Sequence, residues 1–252
     1  MEIHDKIEYI KNWIKGYAID NNFSNLVIGI SGGIDSALTS TLCCMTELNV
    51  NALNTPIHSA DKNTQNSRTH CKWLEDKFNN VTVYEVDLSQ VYNVFKNVMS
   101  NFENDLGFAN SKARLRMTSL YQVASNVNGL VVGTGNKVED FGVGFYTKYG
   151  DGGVDISPIA DLYKTEVYEY AKQLDVHEDI LNVPPTDGLW EDSRTDQDQL
   201  KASYEELEEC MKYNTGTGID VYNRFRKQNM HKMTPIPVCR FIDEKLKRFE
   251  RI

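Results

Sequence analysis

The chain has no excess of basic charge. Its 252 residues carry 27 Lys and Arg against 36 Asp and Glu, for a formal net charge of −9. A nucleic-acid surface needs a basic face, so that class of function is disfavoured. Phosphate-bearing small molecules are not, because a few local cations suffice to hold them. No apolar run approaches the roughly 18 residues of a membrane span. The opening Met1-Glu2-Ile3-His4-Asp5 has no apolar signal stretch, so no leader is expected. The cysteines, Cys43, Cys44, Cys71, Cys210 and Cys239, form no C-x-x-C pair and are odd in number. They read as reduced thiols of a cytoplasmic protein rather than a zinc or disulfide framework. Internal repeats, low-complexity segments and a clear domain boundary are also missing. What remains is ordinary globular composition, 40% apolar and 25% charged, and enough chain for one large α/β domain or two small ones.

Two common phosphate motifs are missing as well. The Walker pattern fails because no Lys follows Gly32-Gly33, and the dinucleotide pattern G-x-G-x-x-G fails on spacing. In their place stands Leu26-Val27-Ile28-Gly29-Ile30-Ser31-Gly32-Gly33-Ile34-Asp35-Ser36. It begins as an apolar run typical of a buried strand and breaks at two glycines, where the backbone turns without Cβ clashes. It resumes at Ser36-Ala37-Leu38-Thr39-Ser40-Thr41-Leu42 with helical spacing. Strand, glycine turn and helix start aim unpaired N–H groups at one point, and the helix dipole adds positive charge there. Gly29-Ile30-Ser31-Gly32-Gly33 also fits the nucleophile elbow G-x-S-x-G. A hydrolase elbow lies deep in its chain, however, and needs a His and an acid converging on the Ser. Here the match follows the first strand and no such order is evident. Ser31-Gly32-Gly33-Ile34-Asp35-Ser36 resembles the S-G-G-x-D-S loop of the ATP pyrophosphatase superfamily, which cradles the β,γ-pyrophosphate released when a substrate is adenylated. A plain glycine turn is the bland alternative.

Along the chain, Ile3, Ile7, Ile10, Ile14 and Tyr17 alternate steps of four and three, one apolar face of a first helix. Val50 to Thr55 reads as a second strand ended by Pro56, Thr64 to Phe78 as a helix, and Val81 to Val86 as a third strand. This alternation implies βαβ units and a parallel sheet. From Leu88 to Asn126 the pattern is helical, with Val91, Val94, Phe95, Val98 and Phe102 on one face and Met117, Leu120, Tyr121 and Ala124 on another. That segment forms core or a subunit interface. Gly129 to Lys137 repeats the opening logic of apolar strand and glycines. Ligands in open parallel sheets bind beyond the carboxyl ends of the strands, so Thr134 to Glu139 is expected beside Ser31 to Ser36. Phe145 to Asp155 is a Gly/Asp-rich loop with aromatics, and Asp161 opens a helix to about Leu174. Residues 183–196, punctuated by Pro and Gly, are a candidate lid or an ordinary connection. Leu200 to Tyr213 and Thr217 to Asn229 read as surface helices, the second ended by His231-Lys232.

Taken together, these stretches resemble the ammonia-dependent NAD synthetase family, an N-type branch of that superfamily. The likeness spans most of the chain. It rests on Ser31 to Ser36, Lys112-Ala113-Arg114-Leu115-Arg116-Met117, Gly133-Thr134-Gly135-Asn136-Lys137-Val138-Glu139, Pro185-Thr186 and His231-Lys232. Its most specific part is Thr147-Lys148-Tyr149-Gly150-Asp151-Gly152-Gly153-Val154-Asp155. The segment between Glu139 and Lys148 is one residue longer than the family pattern, which leaves the placement of aromatics 141–146 open.

The resemblance implies a three-layer α/β/α fold of the adenine nucleotide alpha hydrolase (Rossmann-like) type with a five-stranded parallel sheet. It implies a single domain over 1–252 with a helical insertion at about 88–127, and a homodimer. The implied reaction adenylates the carboxylate of deamido-NAD with ATP, then displaces AMP with ammonia. ATP would be held by Gly29, Ile30, Ser31, Gly32, Gly33, Ile34, Asp35, Ser36, Thr134, Lys164 and Thr186, and Mg²⁺ by Asp35 and Glu139. Arg114, Lys148, Asp155, His231 and Lys232 would position deamido-NAD. Asp35, Lys164 and Asp151 would serve the chemistry, Asp151 by holding ammonium and aiding its loss of a proton. Each lone charge has a plainer reading as a solvated surface group, and His231-Lys232 as favourable charge at a helix C-terminus. Rival functions are adenylation of tRNA or another acid, and a hydrolase or non-catalytic ATP-binding protein. Only about twenty residues follow His231-Lys232, too few for a glutaminase domain, so free ammonia is the expected nitrogen source.

Overall fold

The computed structural model describes residues 2–58, 62–183, 185, 186, 189 and 195–239. Four parallel strands form its sheet: β1 (Asn25–Gly29), β2 (Asn49–Asn54), β3 (Val81–Glu85) and β4 (Gly129–Val132), in the order β3-β2-β1-β4. Leu26 pairs with Val50 on one side and with Leu130 on the other. Because both neighbours of β1 are strands and both faces are covered, Leu26, Val27 and Ile28 are fully buried. That explains an unbroken apolar run where a half-exposed strand would alternate.

Successive side chains of β1 feed different cores. Leu26 and Ile28 pack with α1 (Ile3–Asp20) and α2 (Ile34–Met45), and with Cys71 and Leu74 of α3 (Lys62–Lys77). Val27 faces Leu120, Tyr121 and Ala124 of α5 (Asp105–Val127). The sheet is thus sandwiched between helical layers, with α6 (Lys164–Gln173) joining the α1–α2 side through Val167 and Ala171. The chain leaves β1 towards β2 and β3, then returns to β4 on the opposite side. The order therefore reverses between β1 and β4, and the crevice beyond their carboxyl ends is where such sheets bind ligands.

Among the described residues, four strands form where five were expected. In place of the fifth, Ile156 makes one isolated parallel bridge to Val132. Gly152-Gly153 precedes this stretch and Pro158, which has no N–H to donate, follows it, so pairing cannot extend. Tyr17 does not complete the buried face of α1. It is 39% exposed, and Ala18 takes the inward position. The stretch 200–213 is two helices rather than one, α8 (Asp196–Leu200) and α9 (Tyr204–Tyr213). Lys201 at φ 62° ends the first, and the Ser203 side chain accepts from the Glu206 N–H to start the second. Nor is α9 a surface helix on all sides. Tyr204 and Leu207 pack on Val138 and Val143 in a second small core. Among the described residues no helix is long and apolar enough to cross a membrane.

One buried group gives the fold a pH dependence. His70 of α3 is fully buried, with Nε2 2.9 Å from the Ser40 hydroxyl and its ring stacked on Trp73 at 5.4 Å. Burial lowers its pKa from 6.5 to about 4. The folded protein keeps His70 neutral while the unfolded chain binds a proton below pH 6.5. Stability is therefore complete above the unfolded pKa and declines as pH falls towards the folded one, by up to about 1.4 kcal/mol per pH unit. Thermal melts across that window should show a shallower pH dependence for His70→Gln than for the wild type. Parallel curves would mean that other groups set the acid limit.

Candidate active site

The loop after β1 is shaped by its own hydroxyls. Gly32 adopts φ 83°, a left-handed conformation that favours glycine, and Gly33 is the extended residue before α2. The Ser31 Oγ accepts from the Gly33 N–H at 3.2 Å. The Ser36 Oγ donates to the Gly33 carbonyl at 2.9 Å and accepts from the Ser31 N–H at 3.2 Å. The loop is thus tied down before any ligand arrives, at the N-terminal end of α2 where anions are favoured. Among the described residues no His hydrogen-bonds Ser31. His70 spends its Nε2 on Ser40, which speaks against a hydrolase triad at this serine.

Beside this loop lies a buried charged centre. Asp35 occupies the first turn of α2. Glu139 sits in a π-helical turn, Lys137–Val143, that begins just beyond β4. Asn136 joins the two. Its Oδ1 accepts from the N–H groups of Val138 and Glu139, both at 3.0 Å, and its Nδ2 donates to Asp35 Oδ1 at 3.1 Å. Lys164, first residue of α6, donates to Asp35 Oδ2 at 2.5 Å and to Glu139 Oε1 at 2.9 Å. Glu208 of α9 holds the start of α6 by accepting from the N–H and hydroxyl of Thr165 at 3.0 and 2.8 Å. Tyr204 closes the far side, its hydroxyl 2.6 Å from Glu139 Oε1 and 3.0 Å from Asp196 Oδ2.

The charge states follow from these contacts. Lys164 is only 2% exposed. Burial alone would lower its pKa, but Asp35 and Glu139 outweigh burial and raise it, so it stays an ammonium. Burial pushes Asp35 above the usual carboxylate value, against the pull of Lys164. Burial opposes ionisation of Glu139 too, yet Lys164, Tyr204 and Asn136 together hold its pKa below the usual value. With both carboxylates ionised, one ammonium faces two negative charges, which leaves room for further positive charge.

The opposite wall is the Gly/Asp-rich loop. Asp151 Oδ1 accepts from the Thr147 N–H at 2.9 Å, and burial lifts its carboxyl to about 6. Burial raises Asp140 well above the ordinary range as well. Lys232, near the end of α10 (Ile219–Met233), donates to the Tyr146 carbonyl at 2.8 Å, and burial lowers its pKa. A Cβ on Gly150 would lie 2.8 Å from the Ala113 Cβ, so glycine lets this loop lie directly on α5.

These walls enclose a cavity of about 540 Å³. Gly29, Ile30, Ser31, Gly33, Ile34, Asp35 and Ser36 line it, together with Thr134, Glu139, Asp151, Lys164, Thr186 and Lys232. Gly32, Arg114, Lys148, Asp155 and His231 are not in its lining. Arg114 Nε donates to the Lys148 carbonyl at 3.3 Å, and Lys148 Nζ to the His231 carbonyl at 3.3 Å. Asp155 accepts from the Tyr121 hydroxyl at 2.9 Å and the Val131 N–H at 2.8 Å, bracing β4 against α5. Of the candidate lid, residues 184, 187, 188 and 190–194 lie outside the described residues.

A model of the NAD synthase family matches residues 6–243. The chain belongs to the NAD synthase family. An NH3-dependent NAD(+) synthetase of Carboxydothermus hydrogenoformans is 35% identical over 232 residues, 90% of this chain and 94% of the relative. Among solved structures, an NMN synthetase from Francisella tularensis superposes with TM-score 0.89 at 29% identity, covering 96% of this chain and 100% of that one. An NH3-dependent NAD synthetase from Campylobacter jejuni, in complex with the nitrate ion, gives TM-score 0.76 at 28% identity, covering 95% and 100%.

Within this NAD synthase family member, Tyr204, Asp196 and Glu208 join the charged centre although no sequence motif marks them. Ser203-Tyr204-Glu205-Glu206 signals a helix start, but nothing in it reveals that the hydroxyl meets Glu139. Asn136 belongs to the motif Gly133 to Glu139, and its position just before a helical turn is the sequence signal for its bridging role.

Proposed function

We propose that this chain is a C–N ligase that amidates deamido-NAD with ammonia, at the expense of ATP, to give NAD, AMP and pyrophosphate. The observation that carries the proposal is the convergence, in one cavity, of a glycine loop at the N-terminal end of α2 with Asp35, Glu139 and Lys164. Phosphoryl-group transfer asks mainly for positioning and charge neutralisation, and these groups offer both. A substrate carboxylate oxygen attacks the α-phosphorus of ATP, the bond to the bridging oxygen breaks, and pyrophosphate leaves. The loop and Lys164 hold that leaving group. Ammonia nitrogen then attacks the acyl carbon and AMP departs. Asp151, an ionised carboxylate above about pH 6, holds ammonium and accepts its proton.

The donor set fits Mg²⁺. Asp35 and Glu139 are hard oxygen ligands already converging on one cation, Lys164 Nζ. Among the described residues no three acidic, His or Cys side chains form a metal cage. Mg²⁺ is commonly bound in this way, by one or two carboxylates completed by phosphate oxygens and water. When bound, the ion would neutralise phosphate charge in the first step.

Free ammonia as nitrogen source is supported by four of the five cysteines, and the fifth, Cys239, is exposed and outside the cavity lining. Cys43, Cys44, Cys71 and Cys210 are buried, and burial pushes each thiol up, that of Cys44 to about 12. A glutaminase nucleophile needs the opposite. We place the reaction in the cytoplasm. The test is incubation with ATP, Mg²⁺, deamido-NAD and either ammonium or glutamine, followed by assay of NAD, AMP and pyrophosphate. No NAD from ammonium would reject the proposal, and equal efficiency with glutamine would reject the nitrogen source. The TM-score of 0.89 to an NMN synthetase favours a second reading, the same amidation on nicotinic acid mononucleotide. Running both acids in parallel decides between them by kcat/KM.

We also propose that the chain acts as a homodimer. Val91, Val94 and Val98 of α4 (Ser89–Val98), with Phe102 and Leu106, are each more than half exposed. Exposed apolar side chains at this density, three of them spaced along one face of α4, are characteristic of interfaces. Leu106 also lines the cavity, so a second copy seated here would border the substrate. Sedimentation at micromolar concentration should report a dimer, and Val98→Asp should dissociate it. A monomeric wild type would end this proposal.

A further inference from the structure

We infer that Tyr204 is a positioning residue for the phosphate and metal centre, acting through the Glu139 carboxylate. The inference rests on the proposed ATP-dependent reaction. Tyr204 is 4% exposed and does not line the cavity, so it stands behind Glu139 rather than against a substrate. Its hydroxyl lies 2.6 Å from Glu139 Oε1, the same oxygen that accepts from Lys164 at 2.9 Å. Both donors fall on one oxygen, which fixes the direction in which the carboxylate faces the cavity. A phenol carries one proton, and Glu139 at 2.6 Å holds it more closely than Asp196 at 3.0 Å.

The ring contributes separately. Lys164 Nζ lies 5.0 Å from its centroid, within range of a cation–π attraction, and the ring packs in the core with Val138, Val143 and Leu207. That core joins α9 to the π-helical turn bearing Glu139. Tyr204 thus fixes the backbone of Glu139 through its ring and the direction of the carboxylate through its hydroxyl. Removing the hydroxyl alone separates the two contributions.

The test is Tyr204→Phe, read first without turnover. Mn²⁺ affinity in the presence of α,β-methylene ATP, measured by electron paramagnetic resonance, is expected to weaken about tenfold, the scale of one hydrogen bond to a charged group. The KM for deamido-NAD should stay unchanged, and the melting temperature should fall by no more than a few degrees. Turnover should fall at limiting Mg²⁺ and recover at saturating Mg²⁺, a rescue that a misfolded protein cannot give. In a Glu139→Gln background the same substitution should add less than a twofold effect, because the tyrosine acts through that carboxylate. Unchanged Mn²⁺ affinity overturns the inference, with or without a lower melting temperature. So does equal weakening in both backgrounds, or failure of saturating Mg²⁺ to restore turnover. Wild-type protein that makes no NAD would retire the proposed reaction instead, and the binding measurement keeps the two failures distinguishable.

Discussion

Lys164→Met is expected to abolish measurable NAD formation and to lower the melting temperature of the protein. Methionine keeps most of the unbranched stem of lysine, one heavy atom shorter, and removes the ammonium together with its hydrogen bonds to Asp35 and Glu139. Lys164 is 2% exposed and touches both Asp35 and Glu139, so its loss leaves two partly buried carboxylates facing each other at the cavity wall. Breaking a buried pair by removing one partner typically costs about 3–5 kcal/mol, and in a chain of this size the melting point should drop by roughly 10 °C. The catalytic loss should exceed the instability, because the same ammonium neutralises the departing pyrophosphate. Removing one preorganised electrostatic donor costs about 10²–10³ in kcat. Measurement of pyrophosphate release well below the melting point separates the two effects. A folded Lys164→Met protein within tenfold of wild-type turnover would remove Lys164 from the chemistry.

Asp35→Asn should leave a folded protein that no longer adenylates its substrate. Both oxygens of Asp35 accept, Oδ1 from Asn136 and Oδ2 from Lys164. An asparagine has one oxygen and one NH₂, so either orientation turns one of these contacts into donor against donor. The structural cost is on the order of 1–3 kcal/mol, tempered by partial exposure at the cavity wall. The functional cost is larger, about 10²-fold or more, because the substitution also removes a carboxylate from the pair proposed to hold Mg²⁺. The expected signature is a raised Mg²⁺ requirement with pyrophosphate release suppressed even when ammonium is withheld. Normal turnover by the folded variant would end the metal role for Asp35.

Some of this was legible in the residues alone. The apolar run Leu26-Val27-Ile28, the turn at Gly32-Gly33 and the helix after it follow from local rules. A strand buried on both faces needs continuous apolar side chains, a left-handed turn favours glycine, and a helix start needs a residue that lets its first N–H groups point outward. The alternation of strands and helices determined a parallel sheet, because parallel neighbours require crossovers. The placement of Thr134 to Glu139 beside Ser31 to Ser36 followed as well, since strand ends in such a sheet share one edge.

Other features were decided only by tertiary structure, for one recurring reason: they depend on contacts between residues far apart in the chain. Lys164 looks like any lysine opening a surface helix until Asp35, 129 residues earlier, and Glu139 are brought to its ammonium. Asp155, equally prominent in its motif, turns away from the cavity because the Tyr121 hydroxyl and the Val131 N–H need an acceptor. Tyr204 reaches Glu139 across 65 residues, and no spacing rule carries information over that distance. Sequence by itself determined which local pieces exist and at which edge of the sheet a phosphate would bind. Only packing determined which charges meet there, because the energy of a buried charge is set by its neighbours in space.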